Sequence, residues 1–210
     1  MPSISSIAPI ILAAGDSTRM GYPKALLPLG DDIFITRILS VLQRAGLARP
    51  VIILGKAATR IKERIQNWSA EIRINPDPDR GQLSSIQIAM SSIGPEFDSC
   101  LIWPVDQPAV SEDLVCHLTQ LFVDSGSLIT FPKFGNRKGH PAIFHRSLFR
   151  EFMDAPLEEG PKKILLLHEQ QTATLSTEES AAVQDIDTPE EYEALTGESL
   201  KSALARTGVS

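Results

Sequence analysis

An alternation of short apolar runs with amphipathic segments is the feature that most limits how this 210-residue chain can fold. The apolar runs predict strands at Ala8–Ala13, Val51–Leu54, Glu71–Ile74, Ser99–Trp103 and Ser127–Phe131. Helical periodicity predicts helices at Ile33–Ala45, Ala57–Trp68, Leu83–Ile93 and Ser111–Val123. A hairpin is predicted at Lys133–Phe144, turning at Gly135–Asn136, followed by two short helices and a late strand. This order predicts an α/β domain with a mainly parallel sheet, in which ligands bind beyond the carboxyl ends of the strands.

The net negative charge of the chain disfavours partners that are themselves polyanions. Its formal net charge is -6 and its pI is near 5.3, which disfavours nucleic acids and anionic membranes held by bulk electrostatics. The N-terminus lacks the pattern of a signal peptide, and no apolar run approaches the roughly 20 residues of a spanning helix. Cys100 and Cys116 lie in apolar stretches and are interpreted as packing residues in a reducing compartment. The sequence therefore predicts a cytoplasmic protein. A phosphate ligand would have to be held by a local binding motif and not by the overall charge.

A glycine-rich segment at residues 12–30 is a candidate for such a phosphate-binding motif. Gly15 and Gly21 allow a tight turn whose consecutive backbone N–H groups bind an anion, and Arg19 and Lys24 add mobile cations. The segment is not a Walker loop, because the spacing from Gly15 to Lys24 is too long and neither Ser nor Thr follows the lysine. Its glycines do not satisfy the dinucleotide fingerprint either. A plain strand-to-helix loop, in which glycine serves the turn alone, is the alternative.

The segment closely resembles the signature loop of the MobA-like nucleotidyltransferases, in the branch that contains molybdenum cofactor cytidylyltransferase. The matching pattern is Leu-Ala-Ala-Gly-x-Ser-x-Arg-Met-Gly-x-Pro-Lys-x-Leu-Leu-Pro-Leu-Gly. In that family the loop wraps a nucleoside triphosphate, with its first residues against the base and ribose and its Arg and Lys on the phosphates. The resemblance implies nucleotide-binding roles for Leu12, Ala13, Ala14, Gly15, Arg19, Gly21 and Lys24.

Carboxylates are expected at two further points. Asp106 follows a predicted central strand, and Asp185 and Asp187 lie in Asp-x-Asp, where alternation lets both face one side of an extended segment. Mg²⁺ held by such groups neutralises the phosphate charge that nucleotidyl transfer brings together. Each motif alone has a plainer explanation, an Asx turn at Asp106 and a helix cap at Asp187 or Thr188 before Pro189. The family carries both blocks in this order, which implies Asp106, then Asp187, then Asp185 as metal ligands.

A block at residues 75–85 resembles a family loop that closes over the nucleotide base. It precedes a Gly-x-x-x-Ser helix start and implies nucleotide-binding roles for Gly81, Ser84 and Ser85. Hydroxyl groups there suit a ribose, a base or an anion at the helix N-terminus. The alternative, weighted equally, is that one serine caps the helix.

The Gly-His-Pro segment at residues 139–141 resembles the family segment on the side where the acceptor enters. Arg137, Lys138 and His140 are accordingly candidates to meet an anionic acceptor, and of these Arg137 and His140 are assigned to it. A purely structural histidine is the alternative. Further along, the family branch usually has Gly-Asp-x-Gly-Ala-Arg, where this chain reads Leu-Glu-Glu-Gly-Pro-Lys up to Lys162. Lys162 is assigned to the acceptor as well, but a lysine cannot form the bidentate fork of an arginine. The identity of the acceptor is therefore left open.

These blocks predict a Mg²⁺-dependent nucleotidyltransferase of the EC 2.7.7 type, with Arg19, Lys24 and Asp106 as catalytic residues. The expected fold is a Rossmann-like three-layer sandwich with a small β-hairpin insertion over residues 1–197, followed by a flexible tail at 198–210. The Ala-Ala-Gly form of the loop resembles the cytidylyl branch of the family, whereas its guanylyl enzymes usually carry Ala-Gly-Gly. The resemblance therefore implies CTP over GTP and a molybdopterin-type acceptor. The alternatives are a sugar-phosphate or other small-phosphate nucleotidyltransferase, and a non-catalytic nucleotide-binding maturation factor with a molybdoenzyme partner.

Overall fold

The structure, a computed structural model, describes residues 3–157 and 160–207. The strands are β1 (Ile7–Ala13), β2 (Pro28–Leu29), β3 (Asp32–Ile33), β4 (Val51–Leu54), β5 (Glu71–Ile74), β6 (Ser99–Pro104), β7 (Ile129–Phe134), β8 (Arg137–Lys138), β9 (Ala142–His145) and β10 (Thr172–Ser176). The helices are α1 (Phe34–Arg44), α2 (Ala58–Arg64), α3 (Gln82–Ser92), α4 (Glu112–Ser125), α5 (Phe149–Asp154), α6 (Lys162–Leu167), α7 (Pro189–Thr196) and α8 (Leu200–Arg206). Not one of the described helices has both the length and the apolar character that crossing a membrane requires.

The main sheet has the strand order β10-β7-β9-β6-β1-β4-β5, with β8 paired to β7, and β2 and β3 form a separate antiparallel pair. Strand β1 lies parallel to both β4 and β6, β4 lies parallel to β5, and β7 lies parallel to β10. Strand β9 runs antiparallel to β6 and β7. The predicted mainly parallel sheet with a small antiparallel element is confirmed.

Helices cover both faces of this sheet because its central strands are apolar on both sides. In β1, Ile7 and Ile11 belong to a core shared with α1 and α4, whereas Ile10 and Leu12 belong to a second core shared with α3. Successive side chains of a strand point to opposite faces, so a continuous apolar run needs a layer on each side. The three-layer arrangement follows from that run and agrees with the prediction.

The predicted hairpin is more elaborate in the structure. Strand β7 turns at Gly135–Asn136 into β8, as the sequence predicts. The chain then leaves the hairpin, and β9 enters the main sheet between β6 and β7. Its residues Ala142, Ile143 and Phe144 are all buried, because a strand at that place is covered on both faces.

A helix, α8, occupies most of the segment expected to be a flexible tail. Ser199 caps this helix by accepting a hydrogen bond from the Ser202 N–H at 3.3 Å. Leu200 and Ala203 are buried, so the segment packs on the core instead of extending into solvent. Two apolar residues in an otherwise small and polar stretch are a weak helical pattern. Residues 208–210 of the predicted tail lie outside the described residues.

Candidate active site

A cleft of about 560 Å³ opens beyond the carboxyl ends of β1, β4 and β6, and we call it the loop cleft. Four parts of the chain line it, namely the first loop (residues 12–19 and 23–25), four residues just after β4 (56, 57, 60 and 61), Val105 with Asp106, and Asp187. The predicted nucleotide-binding residues that line it are Leu12, Ala13, Ala14, Gly15, Arg19 and Lys24. Sequence reasoning missed Asp16, Lys56 and Arg60, which also line the cleft, since nothing in their local pattern marks them.

The first loop folds around Ser17, whose backbone is left-handed with a φ of 52°. The Ser17 carbonyl accepts hydrogen bonds from the N–H groups of Met20 and Gly21, both at 3.1 Å. Its Oγ accepts a hydrogen bond from the Lys24 N–H at 3.1 Å. Gly21, with a φ of 68°, shapes this turn and does not itself line the cleft. Ser17 is part of the signature pattern, but no role is predicted for it from the sequence.

Several backbone N–H groups of the residues that line the cleft have no protein partner among the described residues. Those of residues 15–19 donate to no other protein atom in the described part of the chain. A Cβ at Gly15 would have nothing within 4 Å, so the fold itself does not require glycine there. At Gly55 a Cβ would lie 2.2 Å from the Ala14 carbonyl oxygen, so the approach of β4 to the loop does require glycine. Free N–H groups beside open space are suited to an anion held against the backbone.

Four charged side chains from three distant parts of the chain meet in the loop cleft. The Lys24 Nζ donates to Asp106 Oδ2 at 3.1 Å and also to Asp187 Oδ1. The Arg19 Nη2 donates to Asp187 Oδ2 at 2.7 Å. The Lys24 side chain is only 13% exposed, whereas that of Arg19 is 69% exposed. The structure thus brings the three predicted catalytic residues and one predicted metal ligand together.

Backbone contacts hold the two acids side by side. Asp106 lies two residues beyond β6, and its carbonyl accepts a hydrogen bond from the Ile186 N–H at 2.9 Å. Thr188 caps α7 by accepting from the Glu191 N–H at 3.3 Å, and the Glu191 carboxylate accepts from the Asp187 and Thr188 N–H groups. Because Thr188 is the cap, the Asp187 carboxylate remains available to the cationic side chains.

Asp185 makes a different contact. Its Oδ1 accepts a hydrogen bond from Gln107 Nε2 at 2.7 Å, and the residue is exposed. In the part of the chain that the structure describes, no group of three or more His, Cys, Asp or Glu side chains could hold a metal ion. The three predicted ligands therefore do not form one cluster, and Asp106 with Asp187 is the pair that shares a partner.

The ionisation of these groups follows from their surroundings. Burial raises the pKa of Asp106, which the Lys24 ammonium opposes and the charges of Asp185 and Asp187 reinforce. The hydrogen bond from Lys24 lowers the pKa of Asp187, although burial opposes it. Burial acts to lower the pKa of Lys24, but the Asp106 charge and hydrogen bonds to both carboxylates outweigh it and raise that pKa. At neutral pH the lysine is therefore protonated against ionised Asp187.

The acid pair fits a magnesium ion. Proteins commonly hold Mg²⁺ by one or two carboxylates together with substrate phosphates, not by a complete protein cage. Asp106 and Asp187 supply two carboxylates, and Asp106 Oδ1 is buried without a hydrogen-bond partner among the described residues. An unpartnered buried carboxylate oxygen is costly unless a ligand, an ion or water satisfies it.

The predicted serines serve the fold instead of lining a cavity. Asn75 is buried, and its Nδ2 donates to Ser84 Oγ at 2.8 Å and to Ser85 Oγ at 2.9 Å. The Ser84 hydroxyl donates to the Gly81 carbonyl at 2.7 Å. Gly81, with a φ of 90°, is itself the residue that precedes α3, so neither serine caps the helix. These hydroxyl groups hold the loop before α3 in place, and the predicted serine cap is not present. The predicted contact of the serines with a nucleotide stays a prediction.

A second cavity of about 460 Å³, the apolar cavity, lies beside the loop cleft. Its apolar lining consists of Ile86, Ile102, Phe131, Ala142, Phe144, Pro161, Leu165 and Leu166. The polar groups on it are Gln82, Lys138, His140 and Lys162. The Lys138 ammonium lies 5.1 Å from the centre of the Phe131 ring. Two predicted acceptor residues, His140 and Lys162, thus line one cavity, whereas Glu158 and Glu159 of the neighbouring block lie outside the described residues.

Arg137, the third predicted acceptor residue, lies elsewhere. Its Nη2 donates to the Val183 carbonyl at 2.7 Å, so the guanidinium supports the segment that leads to Asp187. Lys138, the next residue, reaches the cavity instead. In a strand, consecutive side chains point to opposite faces, so only one of the two can do so.

His140 lines the apolar cavity and lies close enough to Asp106 and Asp185 for their charges to act on it. Its backbone N–H donates to the Ala182 carbonyl at 2.8 Å, and a Cβ on neighbouring Gly139 would lie 2.3 Å from that same oxygen. Burial lowers the pKa of His140, while the charges of Asp106 and Asp185 act in the opposite direction. Its Nδ1 is buried without a hydrogen-bond partner among the described residues, and the lowered pKa favours the neutral ring at neutral pH.

A Rossmann-like α/β sandwich with a glycine loop, free backbone N–H groups and a strand-end acid pair defines a nucleotide-handling domain of the transferase class. The family model described as the MobA-like NTP transferase domain matches residues 9–173. The chain belongs to this family, whose activity is nucleotidyl transfer. The matched residues end before Asp187, which the resemblance implied as a metal ligand and which the structure brings to the cleft.

Relatives and solved structures agree with this membership. The chain is 28% identical over 191 residues to the molybdenum cofactor cytidylyltransferase of Escherichia coli K12, covering 90% of this chain and 95% of the relative. It is 27% identical over 198 residues to the "probable molybdenum cofactor guanylyltransferase" of Bacillus mycoides, with the same coverages of 90% and 95%. The crystal structure of Rv0371c from Mycobacterium tuberculosis H37Rv superposes with a TM-score of 0.81 at 25% identity, over 93% of this chain and 100% of that one.

Proposed function

We propose that this protein transfers a nucleotidyl group from a nucleoside triphosphate to a phosphorylated small molecule and releases pyrophosphate. The observation that carries the proposal is the meeting of Arg19, Lys24, Asp106 and Asp187 in a cleft bordered by free backbone N–H groups. Cations and N–H groups bind the triphosphate, and the acids supply a metal site next to it. A nucleotide-binding fold without this arrangement would have no means to promote the transfer.

The chain's own residues act by positioning and by electrostatics. The N–H groups of residues 15–19 and the guanidinium of Arg19 hold the triphosphate, and Lys24 stabilises charge on the α-phosphoryl oxygens. A phosphate oxygen of the acceptor forms a bond to the α-phosphorus, and the bond from the α-phosphorus to the α–β bridging oxygen breaks. The bonding electrons leave with pyrophosphate. No side chain needs to act as a nucleophile.

Asp106 and Asp187 are the residues that would hold Mg²⁺. When bound, Mg²⁺ screens the repulsion between the two anionic reactants and orients the triphosphate. Within the pair, Asp106 offers an unpartnered oxygen, and Asp187 stays ionised because of its lowered pKa.

The apolar cavity is our proposed acceptor site. One of its lining residues, His140, is within range of the Asp106 charge, which supports an acceptor bound there with its phosphate toward the loop cleft. Lys138 and Lys162 add positive charge to its otherwise apolar lining. An acceptor with a flat, apolar body and an anionic group suits this lining better than a polyol, whose hydroxyl groups would lack partners.

CTP and a molybdopterin-type acceptor are the substrates that we favour. The Ala13-Ala14-Gly15 form of the loop and the likeness to the E. coli cytidylyltransferase support this choice. The likeness to a guanylyltransferase is almost as great, so GTP is the alternative nucleotide. A sugar-phosphate acceptor and a non-catalytic role in maturing a molybdoenzyme are the alternative functions.

A pyrophosphate-release assay tests the proposal. CTP, GTP, UTP and ATP are each combined with molybdopterin or a hexose 1-phosphate, with and without Mg²⁺. Release with CTP and molybdopterin, only when Mg²⁺ is present, is the expected result. Release only with GTP reverses the nucleotide assignment, and release only with the sugar phosphate supports the first alternative function. Nucleotide binding by calorimetry without release in any combination supports the non-catalytic role.

A further inference from the structure

Lys24 occupies the acid pair that the metal would use. Its ammonium donates to one oxygen of Asp106 at 3.1 Å and to one oxygen of Asp187. The side chain is only 13% exposed, so it is held at this place and does not sample it from solvent. A lysine ammonium between two carboxylates neutralises their charge and donates N–H groups to their oxygens. A metal ion at the same place would neutralise that charge by binding the oxygens directly.

Arg19 completes the neutralisation of the pair. It donates to the second oxygen of Asp187 at 2.7 Å, so of the four carboxylate oxygens only Asp106 Oδ1 lacks a partner within the described residues. Two acidic and two basic side chains are therefore paired with one another at this point of the cleft. The nearby Asp185 is engaged by Gln107. A free divalent cation that enters meets little net attraction and must first displace the Lys24 ammonium.

A triphosphate changes this balance. It offers several anionic oxygens to the same two cations, and each cation that turns to a phosphate releases a carboxylate oxygen for the metal. Building on the proposed function, we propose that Lys24 keeps the acid pair closed to free metal ions and yields it only when a triphosphate engages the ammonium. The species that the cleft accepts is then the metal–nucleotide complex, not the metal followed by the nucleotide.

The proposal makes metal and nucleotide binding mutually dependent. Because linkage is reciprocal, the factor by which nucleotide tightens metal binding equals the factor by which metal tightens nucleotide binding. This coupling passes through Lys24, so it shrinks when the ammonium is removed. A lysine whose only role is to bind phosphate would leave the affinity for free metal unchanged.

Manganese titration monitored by electron paramagnetic resonance measures the free-metal affinity directly, without turnover. The variants are Lys24→Met, which keeps the length of the side chain and removes its charge, and Lys56→Met as a matched control. Lys56 also lines the loop cleft but pairs with Asp16 instead of the acid pair. Without nucleotide, Lys24→Met is expected to bind Mn²⁺ at least about tenfold more tightly than the wild type, a change of ~1.4 kcal/mol. Lys56→Met is expected to stay within about twofold of the wild type, since its pair is exposed.

Two further titrations locate the effect. Adding Asp106→Asn to Lys24→Met is expected to abolish the gain, because the released carboxylate is then missing. A CTP analogue with a methylene group between the α- and β-phosphorus is expected to tighten Mn²⁺ binding about tenfold in the wild type and less in Lys24→Met. Circular dichroism confirms that each variant is folded.

Unchanged or weaker Mn²⁺ binding by folded Lys24→Met overturns the proposal, and so does an equal gain in Lys56→Met. These outcomes are separate from the pyrophosphate assay. An active enzyme in which Lys24→Met gains no metal affinity contradicts only the proposal about Lys24. An inactive protein in which the gain is present contradicts only the proposed function.

Discussion

The loop cleft and the apolar cavity differ in character although they are neighbours of similar size, about 560 and 460 Å³. The cleft carries seven charged side chains, Asp16, Arg19, Lys24, Lys56, Arg60, Asp106 and Asp187. The cavity is mostly apolar and carries two lysines and a neutral histidine among its polar groups. Charge pairing and backbone donors select a ligand in the cleft, whereas shape and apolar contact select one in the cavity. This difference between the two regions fits a reaction with two substrates. One is recognised by its phosphate groups, and the other is recognised by the shape and apolar surface of the part that carries its phosphate.

The two regions also differ in how the chain builds them. Most of the cleft comes from one continuous stretch, residues 12–25, and distant residues complete it. The cavity receives single side chains from α3, β6, β7, β9 and α6. A substitution in the cleft should therefore act on chemistry, and one in the cavity should act on the affinity for the acceptor alone.

The largest effect is expected for Asp106→Asn. Replacing this carboxylate removes a partner of Lys24 and the unpartnered oxygen offered to a metal, so kcat for pyrophosphate release should fall on the order of 10²–10³-fold. Stopped pyrophosphate assays at saturating substrates measure the change. The matched control is Asp98→Asn, an exposed carboxylate just before the other end of β6. Full activity in a folded Asp106→Asn protein would contradict the role given to the acid pair.

An intermediate effect is expected at two glycines, Gly15, which lines the cleft, and Gly55, which packs against Ala14. Gly15→Ala places a methyl group in open space beside the free N–H groups, so nucleotide affinity should fall about tenfold with no loss of stability. Gly55→Ala forces a methyl group against the Ala14 carbonyl, so the free energy of unfolding should fall by about 1–3 kcal/mol. Calorimetry and urea denaturation measure the two quantities. Equal stability losses in both variants would show that Gly15 serves the fold after all.

The smallest effect concerns the apolar cavity. Leu166 and Leu167 are adjacent on α6 and are 69% and 66% exposed, but only Leu166 lines the cavity. Leu166→Asp should raise the KM for the acceptor roughly fivefold by removing apolar contact, and it should leave nucleotide affinity unchanged. Leu167→Asp is the matched control and should change neither. If both variants behave alike, the acceptor does not bind in this cavity.

The fold could be predicted to a large extent because its signals are local. Continuous apolar runs predicted the central strands, and helical periodicity predicted α1, α3 and α4 within a few residues. The insertion of β9 between β6 and β7 could not be predicted, since the pairing of a strand depends on distant neighbours. The helix α8 was missed because only Leu200 and Ala203 mark its buried side.

The candidate site likewise contains residues that could be predicted from the sequence and residues that could not. The signature loop pointed to Arg19 and Lys24, and the structure brings both to Asp187, a residue that only tertiary folding could bring there. Ser84 and Ser85 were assigned to a ligand because their partner Asn75 could not be identified from the sequence. Arg137 was chosen over its neighbour because the sequence does not reveal which of two consecutive strand residues faces a cavity.

The contact between Lys24 and Asp187 joins two distant parts of the chain. Lys24 and Asp187 are 163 positions apart, and the Tyr192 hydroxyl donates to the Pro28 carbonyl at 2.8 Å in the same region. During synthesis, a growing polypeptide holds its complete glycine loop long before the ribosome adds the second acid. Such an intermediate has nothing at that place to anchor Arg19 or to share Lys24 with Asp106. A growing chain can therefore assemble this part of the cleft only after Asp187 has been added.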